Sequence, residues 1–262
     1  MSSHTNVNNV RRYKAHVSIF GTNQLHLRNP YIVAWWSAAF SGFGYILLGK
    51  NLRGYIFIIW EIFININAKV NLAMIYTFQG NIELAKDVIN TRWIMMYIPV
   101  YLFGIWDSYR SAVELNKVYL LAERENHSYQ TFKLNALEIN YLEKRNPIMA
   151  AIWSLFAPGL GHLYIHRTLT SFILIICLTV FFYFSHALEA ITLLLNGKIT
   201  ESTAILNEEW LLFLPSLFCF SIYDSYVHTV ENNKLFDKEQ RKYLKENYMH
   251  RNFRILKGKK VK

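Results

Sequence analysis

The chain has 262 residues, of which 53% are hydrophobic and 16% aromatic, and its formal net charge is +10. The apolar residues come in blocks with the charges outside them, which argues against a soluble globular protein. The positive balance points to an anionic partner: the lipids of an inner leaflet come first, and nucleic acid is not expected.

Residues 1–29 carry Arg11, Arg12, Lys14 and Arg28 and no acid. No apolar core or small-residue cleavage site precedes the first block, so the apolar segments are expected to be retained, with 1–29 as a basic cytoplasmic arm. Residues 30–113 form a first membrane unit of three blocks. The first, 30–48, barely reaches the ~20 residues a crossing helix needs. Gly42-Phe43-Gly44 interrupts it, so a re-entrant or short helical hairpin fits better than a straight rod. The second, 54–76, is long enough to span but contains Glu61, Asn65, Asn67 and Lys69. The third starts at Trp93 and meets Asp107-Ser108-Tyr109 about a turn before its expected end. Residues 114–145 carry Leu115, Val118, Leu121 and Ala122 at helical spacing, which predicts an amphipathic linker helix.

The same order then returns at a constant offset of 117 residues. Pro30 falls on Pro147, Trp36 on Trp153, Gly42 on Gly159, Gly44 on Gly161 and Trp93 on Trp210. Ile105-x-Asp107-Ser108-Tyr109 falls on Ile222-x-Asp224-Ser225-Tyr226, and Glu114-x-Asn116-Lys117 on Glu231-x-Asn233-Lys234. Such register predicts two tandem copies of one unit. The second unit is 146–230, and 231–262 is a basic cytoplasmic tail with an amphipathic start. The two cysteines, Cys177 and Cys219, lie in apolar blocks and read as small core residues.

Charge decides between two topologies. If each Gly-rich block dips in and returns, the units are parallel and only Lys86, Arg92 and Lys198 lie outside. If it crosses fully, the units are inverted and Lys50, Arg53, Arg110, Lys117, Arg124 and others join Lys198 outside. The parallel arrangement is therefore expected, with both termini cytoplasmic.

Asp107 and Asp224 are the sharpest polar signals, because an acid near a membrane is functional by default. A structural role is favoured here: the Asp would accept backbone N–H groups from the break at Gly42-x-Gly44 or Gly159-x-Gly161 and lock the hairpin to the last helix. Glu61, Lys69, His186 and Glu189 are candidate intramembrane polar groups. His162, Tyr164 and His166 alternate after the second break, but no Cys or acid stands near them in sequence to complete a metal set. No catalytic, cofactor or metal motif is present.

Pro158-Gly159-Leu160-Gly161-His162-Leu163-Tyr164, followed by Arg167, resembles a bacterial signature, Pro-Gly-x-Gly-(Gln/His)-x-Tyr, of small two-helix membrane-domain families. A similar signature occurs in some sugar-importer permeases, whose coupling-loop hallmark is not visible here. Those small domains close with Trp or Tyr before an Asp, as Trp106-Asp107 and Tyr223-Asp224 do, with Tyr109 and Tyr226 just after. The first copy departs from the signature, with Ser41 in place of the Pro and Tyr45 in place of the His/Gln. The resemblance implies a bacterial membrane architecture and no defined activity. The expectation is an all-α, multi-pass protein of the cytoplasmic membrane: a non-enzymatic accessory or scaffold protein, partnered by anionic lipid, a membrane protein or a second copy. The alternative is a small transporter or channel using the intramembrane polar residues.

Overall fold

The computed structural model describes residues 12–18, 20–125, 132–134 and 139–248. Nearly all regular structure is helical. Residues 12–29 are more than an arm: β1 (Ala15–Ser18) and β2 (Gly21–Gln24) pair antiparallel, with Ser18 opposite Gly21. Residues 1–11 and 249–262, the outer parts of the expected arm and tail, lie outside the described residues.

The first expected block becomes two short helices at an elbow. Helix α1 (Pro30–Ala39) begins with Pro30, whose missing N–H costs nothing in a first turn, and the Asn29 side chain caps the Tyr31 N–H. The helix stops at Phe40, which is extended, and Gly42 at φ +108° turns the chain into α2 (Phe43–Leu47). A side chain is strained at that angle, so Gly is required.

The second block is not one straight span. It breaks at Lys69 into α3 (Asn51–Ala68) and α4 (Val70–Phe78), bent by 63°. Lys69 sits at φ +59°, a left-handed conformation that costs a non-Gly residue about 1–2 kcal/mol. Two contacts hold the break. Asn65 Oδ1 accepts the Asn71 N–H at 3.1 Å, and the Ala68 carbonyl accepts the Asn90 N–H at 3.2 Å. After α5 (Ile82–Val88), α6 (Thr91–Glu125) runs through Asp107 without stopping. The expected linker helix is therefore the end of α6. Its second part is instead strand, β3 (Phe132–Leu134) paired with β4 (Ile139–Tyr141).

The second half follows as α7 (Pro147–Phe156), α8 (Leu160–Tyr164), α9 (Thr168–Ser185), α10 (Ala187–Leu195) and α11 (Ile199–Ile205). Adding 117 to the bounds of α1 to α5 reproduces those of α7 to α11 residue for residue. The left-handed break returns at His186 (φ +54°), with the Ser185 carbonyl accepting the Asn207 N–H at 3.1 Å. The counterpart of α6 is α12 (Glu208–Leu211) followed by α13 (Phe213–Asn247). Among the described residues, two helices, or four if each bent pair is one span, are long and apolar enough to cross a membrane.

Each long helix is tied to the segment that enters its half. Asn116 accepts the Arg28 N–H at 2.9 Å and donates to the Arg28 carbonyl at 2.8 Å. Asn233 makes the same pair with Arg145, at 2.9 and 2.7 Å. This is the purpose of the Asn in the repeated Glu-x-Asn-Lys. The main core lies between the halves: Phe40 and Phe43 pack on Phe213, Leu217 and Phe220, with Phe43 stacked on Phe220 at 4.0 Å between ring centres.

Helix α7 meets α13 around Gly161. A Cβ there would overlap the Ser154 hydroxyl and the Ala150 carbonyl. The Ser154 hydroxyl donates to Ser225 Oγ at 2.9 Å, so the contact has no slack. Gly161→Ala is expected to destabilise by about 1–3 kcal/mol or more through overpacking. Gly104→Ala, whose Cβ would meet only the movable ring of Phe57 at 3.2 Å, is expected to cost less. Thermal melting of the detergent-purified variants measures both.

Candidate functional site

The elbow between α7 and α8 delivers two basic side chains to one acid. His162 projects from α8 and Arg167 stands just before α9, while Asp224 and His228 occupy adjacent turns of α13. His162 Nε2 lies 2.9 Å from Asp224 Oδ2, and Arg167 Nη1 donates to the same oxygen at 2.5 Å. His228 Nδ1 is 2.9 Å from Oδ1, outside hydrogen-bond geometry, and 3.0 Å from the Asp224 carbonyl. The Asp224 side chain has no solvent exposure, and Arg167 is 4% exposed. Arg28 Nη2 reaches His228 Nε2 from outside at 3.2 Å, and the His26 ring sits edge-on to His228 at 6.2 Å.

The first half builds the same place from other residues. Asp107 Oδ2 accepts the Tyr45 hydroxyl at 2.7 Å and the Arg53 guanidinium at 2.8 Å, and Lys50 Nζ donates to Ser111 Oγ at 2.7 Å. Under the 117 offset, Tyr45 is His162, Lys50 is Arg167 and Ser111 is His228. This centre is looser, because the Arg53 side chain is half exposed.

Both Asp residues therefore join the hairpin to the long helix, but through side chains rather than the expected backbone N–H groups. The backbone at the break has its own partners. The Gly159 N–H donates to Ser221 Oγ at 3.2 Å, and the Gly159 carbonyl accepts Ser171 Oγ at 2.7 Å. Gly42, Gly44, Pro158, Gly159 and Gly161 all lie at the two elbows. Beside each Asp, Ser108 or Ser225 packs on Gly44 or Gly161. Tyr109 stacks edge-on with Tyr31 at 5.3 Å, and Tyr226 is exposed.

The four candidate intramembrane polar groups are not gathered. Glu61 is buried, accepting the Tyr97 hydroxyl at 2.9 Å and the Asn65 amide at 3.4 Å. Lys69 and His186 sit at the helix breaks and are exposed, and His186 pairs only with exposed Glu189 at 2.7 Å. The reason is local: the left-handed break turns these side chains out of the bundle. Sequence reasoning passed over His162, Arg167, His228 and Arg28 as a group. The spacing of 62 residues, from Tyr45 to Asp107 and from His162 to Asp224, is the signal that links turn to helix. Among the described residues, no group of three or more His, Cys, Asp or Glu is placed to hold a metal ion.

No protein-family model, curated protein or solved structure matches the chain.

Asp224→Asn removes the charge matching a buried Arg and is expected to cost about 3–5 kcal/mol. Asp107→Asn, at the half-open centre, is expected to cost about 1–2 kcal/mol. Comparing the two melting midpoints checks the order. A second expectation concerns pH. Burial, followed by Arg28, His228 and Lys234, lowers His26 from 6.5 to about 2, against a smaller opposing pull from Asp224. The folded protein thus keeps His26 neutral while the unfolded chain takes up a proton below about pH 6.5. Stability is lost as pH falls from there, by up to about 1.4 kcal/mol per pH unit from this group. In chloride buffer, His26→Gln is expected to flatten the fall in Tm between about pH 6.5 and 5; an unchanged slope would remove His26 as the cause.

Proposed function

We propose that the chain is a multi-pass protein of a bacterial cytoplasmic membrane, built from two parallel copies of one unit with both termini in the cytoplasm. On this reading it is a non-enzymatic accessory or scaffold protein. The state of the buried charges supports it best: Asp224 Oδ2 is engaged by His162 and Arg167, and Asp107 by Tyr45 and Arg53. Groups committed to one another serve a latch better than a reaction, which needs a base or nucleophile facing substrate. The exposed apolar residues on the spanning helices, such as Phe172, Ile176 and Tyr183 on α9, suit a lipid surrounding. Beyond the apolar stretch, α13 continues with Arg241, Lys242 and Lys245 among alternating acids, a mixed-charge surface that leads into the basic tail read from the sequence as a partner for anionic inner-leaflet lipid.

One observation favours a transporter as the second reading. Tyr97, Glu61, Asn65 and Asn71 form a continuous polar chain inside an apolar block, and Asn71 Nδ2 reaches the Glu209 carbonyl of the other half at 3.0 Å. Glu61→Gln is the discriminating variant, since a transporter would keep its abundance and lose flux.

The topology has its own test. In a Cys177→Ser, Cys219→Ser background, Lys117→Cys is expected to react with a membrane-impermeant thiol reagent only after the cells are opened. Lys198→Cys is expected to react in intact cells. Labelling of Lys117→Cys in intact cells would mean inverted units and would move the transporter reading to first place.

A further inference from the structure

The 117-residue offset brings two cavities into register, one in each half. The second-half cavity is lined by Tyr141, Leu142, Arg145, Ile165, His166 and Asn232. Their counterparts Gln24, Leu25, Arg28, Leu48, Gly49 and Leu115 line the first-half cavity. The second is nearly closed, at about 10 Å³, whereas the first is about 360 Å³. The substitutions account for the difference. The His166 imidazole stands where Gly49 has no side chain, and the Tyr141 ring stands in place of the Gln24 amide.

The electrostatics diverge in the same direction. In the second half the chain supplies its own anion, because Glu143 lines the space and pairs with Arg145. The guanidinium also lies over the Tyr164 ring, 4.9 Å from its centre. In the first half the counterpart of Glu143 is His26, which stands outside the lining and whose ring nitrogens are both buried without a hydrogen-bond partner among the described residues. The lining includes Lys14, Arg28 and Lys50 with His16 and His228, and no carboxylate among the described residues. Lys14 is paired with Glu123, whereas among the described residues the side-chain hydrogen bonds of Arg28 and Lys50 go to neutral groups, His228 and Ser111. Burial, with Arg167 adding to it, lowers Arg28 to about 10 against Asp224 and Glu231, and burial followed by Arg53 lowers Lys50 against Asp107 and Glu114. Positive charge held partly out of water with no carboxylate in direct contact is costly.

We propose that the first-half cavity binds a phosphate-bearing anion, which does for Arg28 what the Glu143 carboxylate does for Arg145. A phosphate group matches this lining better than a single carboxylate. It carries more than one negative charge and several acceptor oxygens, and the two cations not paired to a carboxylate line the cavity from separate elements, Arg28 before α1 and Lys50 before α3. Thr22, Asn23 and Gln24 add neutral hydrogen-bonding groups. The volume is that of a small organic ligand site rather than a bare-ion site, so the phosphate belongs to a lipid headgroup or a soluble phosphate ester. The site does not depend on the scaffold reading.

The test uses the full chain, purified in detergent and stripped of lipid. Tm is followed against glycerol 3-phosphate at constant ionic strength, and separately against phosphatidylglycerol or phosphatidylcholine added to the micelles. The wild type is expected to gain stability with glycerol 3-phosphate if the source is soluble, or with phosphatidylglycerol alone if it is a lipid headgroup. Lys50→Gln should weaken half-saturation about tenfold or more. Lys50→Arg keeps the charge and is expected to keep the response. The proposal fails if neither anion moves the wild-type Tm, or if Lys50→Gln responds as the wild type does.

Discussion

A carboxylate with no exposure to solvent has to be matched by donors from its own chain, and Asp224 imposes that condition on the second half. His162 comes from the short helix after the elbow, Arg167 from the turn before α9, and Asp224 from α13. One carboxyl oxygen thereby holds three elements in register. The elbow must bring α8 close enough for this, and Gly159 at φ +106° turns the chain while Gly161 admits Ser154 and Ser225. The Pro-Gly-x-Gly and the Asp-Ser-Tyr are thus two ends of one contact.

The two halves share a skeleton and differ in chemistry. A His, an Arg and a second His close the centre around Asp224, while a Tyr, a Lys and a Ser occupy the same positions around Asp107 and leave it half open. The same contrast recurs beneath the hairpins, where His166 fills the space that Gly49 leaves open and Glu143 pairs with Arg145, while the first-half lining carries Arg28 and Lys50. Contacts that set the path of the chain are kept in both halves: the Asn cap before each Pro, the Asn tie to the entering segment and the left-handed break. Contacts that set local charge are not. That pattern is expected when geometry depends on backbone partners and charge depends on side chains that can be exchanged one at a time.

The halves also join in one direction only. Phe40 and Phe43 of the first half pack on Phe213 and Phe220 of the second, whereas Trp153 and Phe103, the counterparts of Trp36 and Phe220, are exposed. Equivalent faces therefore have unequal surroundings within one chain, which leaves the residues on them free to diverge.

Local signals were legible in the sequence. The apolar blocks read as helix, the Gly-x-Gly as a sharp turn, and the 117-residue register as the same elements returning in order. Each of these depends on residues within a turn or two of one another, or on a pattern repeated along the chain. The left-handed breaks at Lys69 and His186 were not legible, because neither residue favours that conformation. They are held by distant partners, Asn90 and Asn207, each 22 residues on from the carbonyl it satisfies. The strands at 132–141 were hidden beneath a helical spacing that ends with α6. The partners of Asp224 were hidden for the same reason: His162 stands 62 residues away and Arg167 stands 57, and only packing α8 and α9 against α13 makes them neighbours. Sequence alone determined where the chain is apolar, where it turns and which residues recur at the 117-residue offset. The tertiary structure decided which charges meet, because a buried charge is satisfied by proximity in space and not by order along the chain.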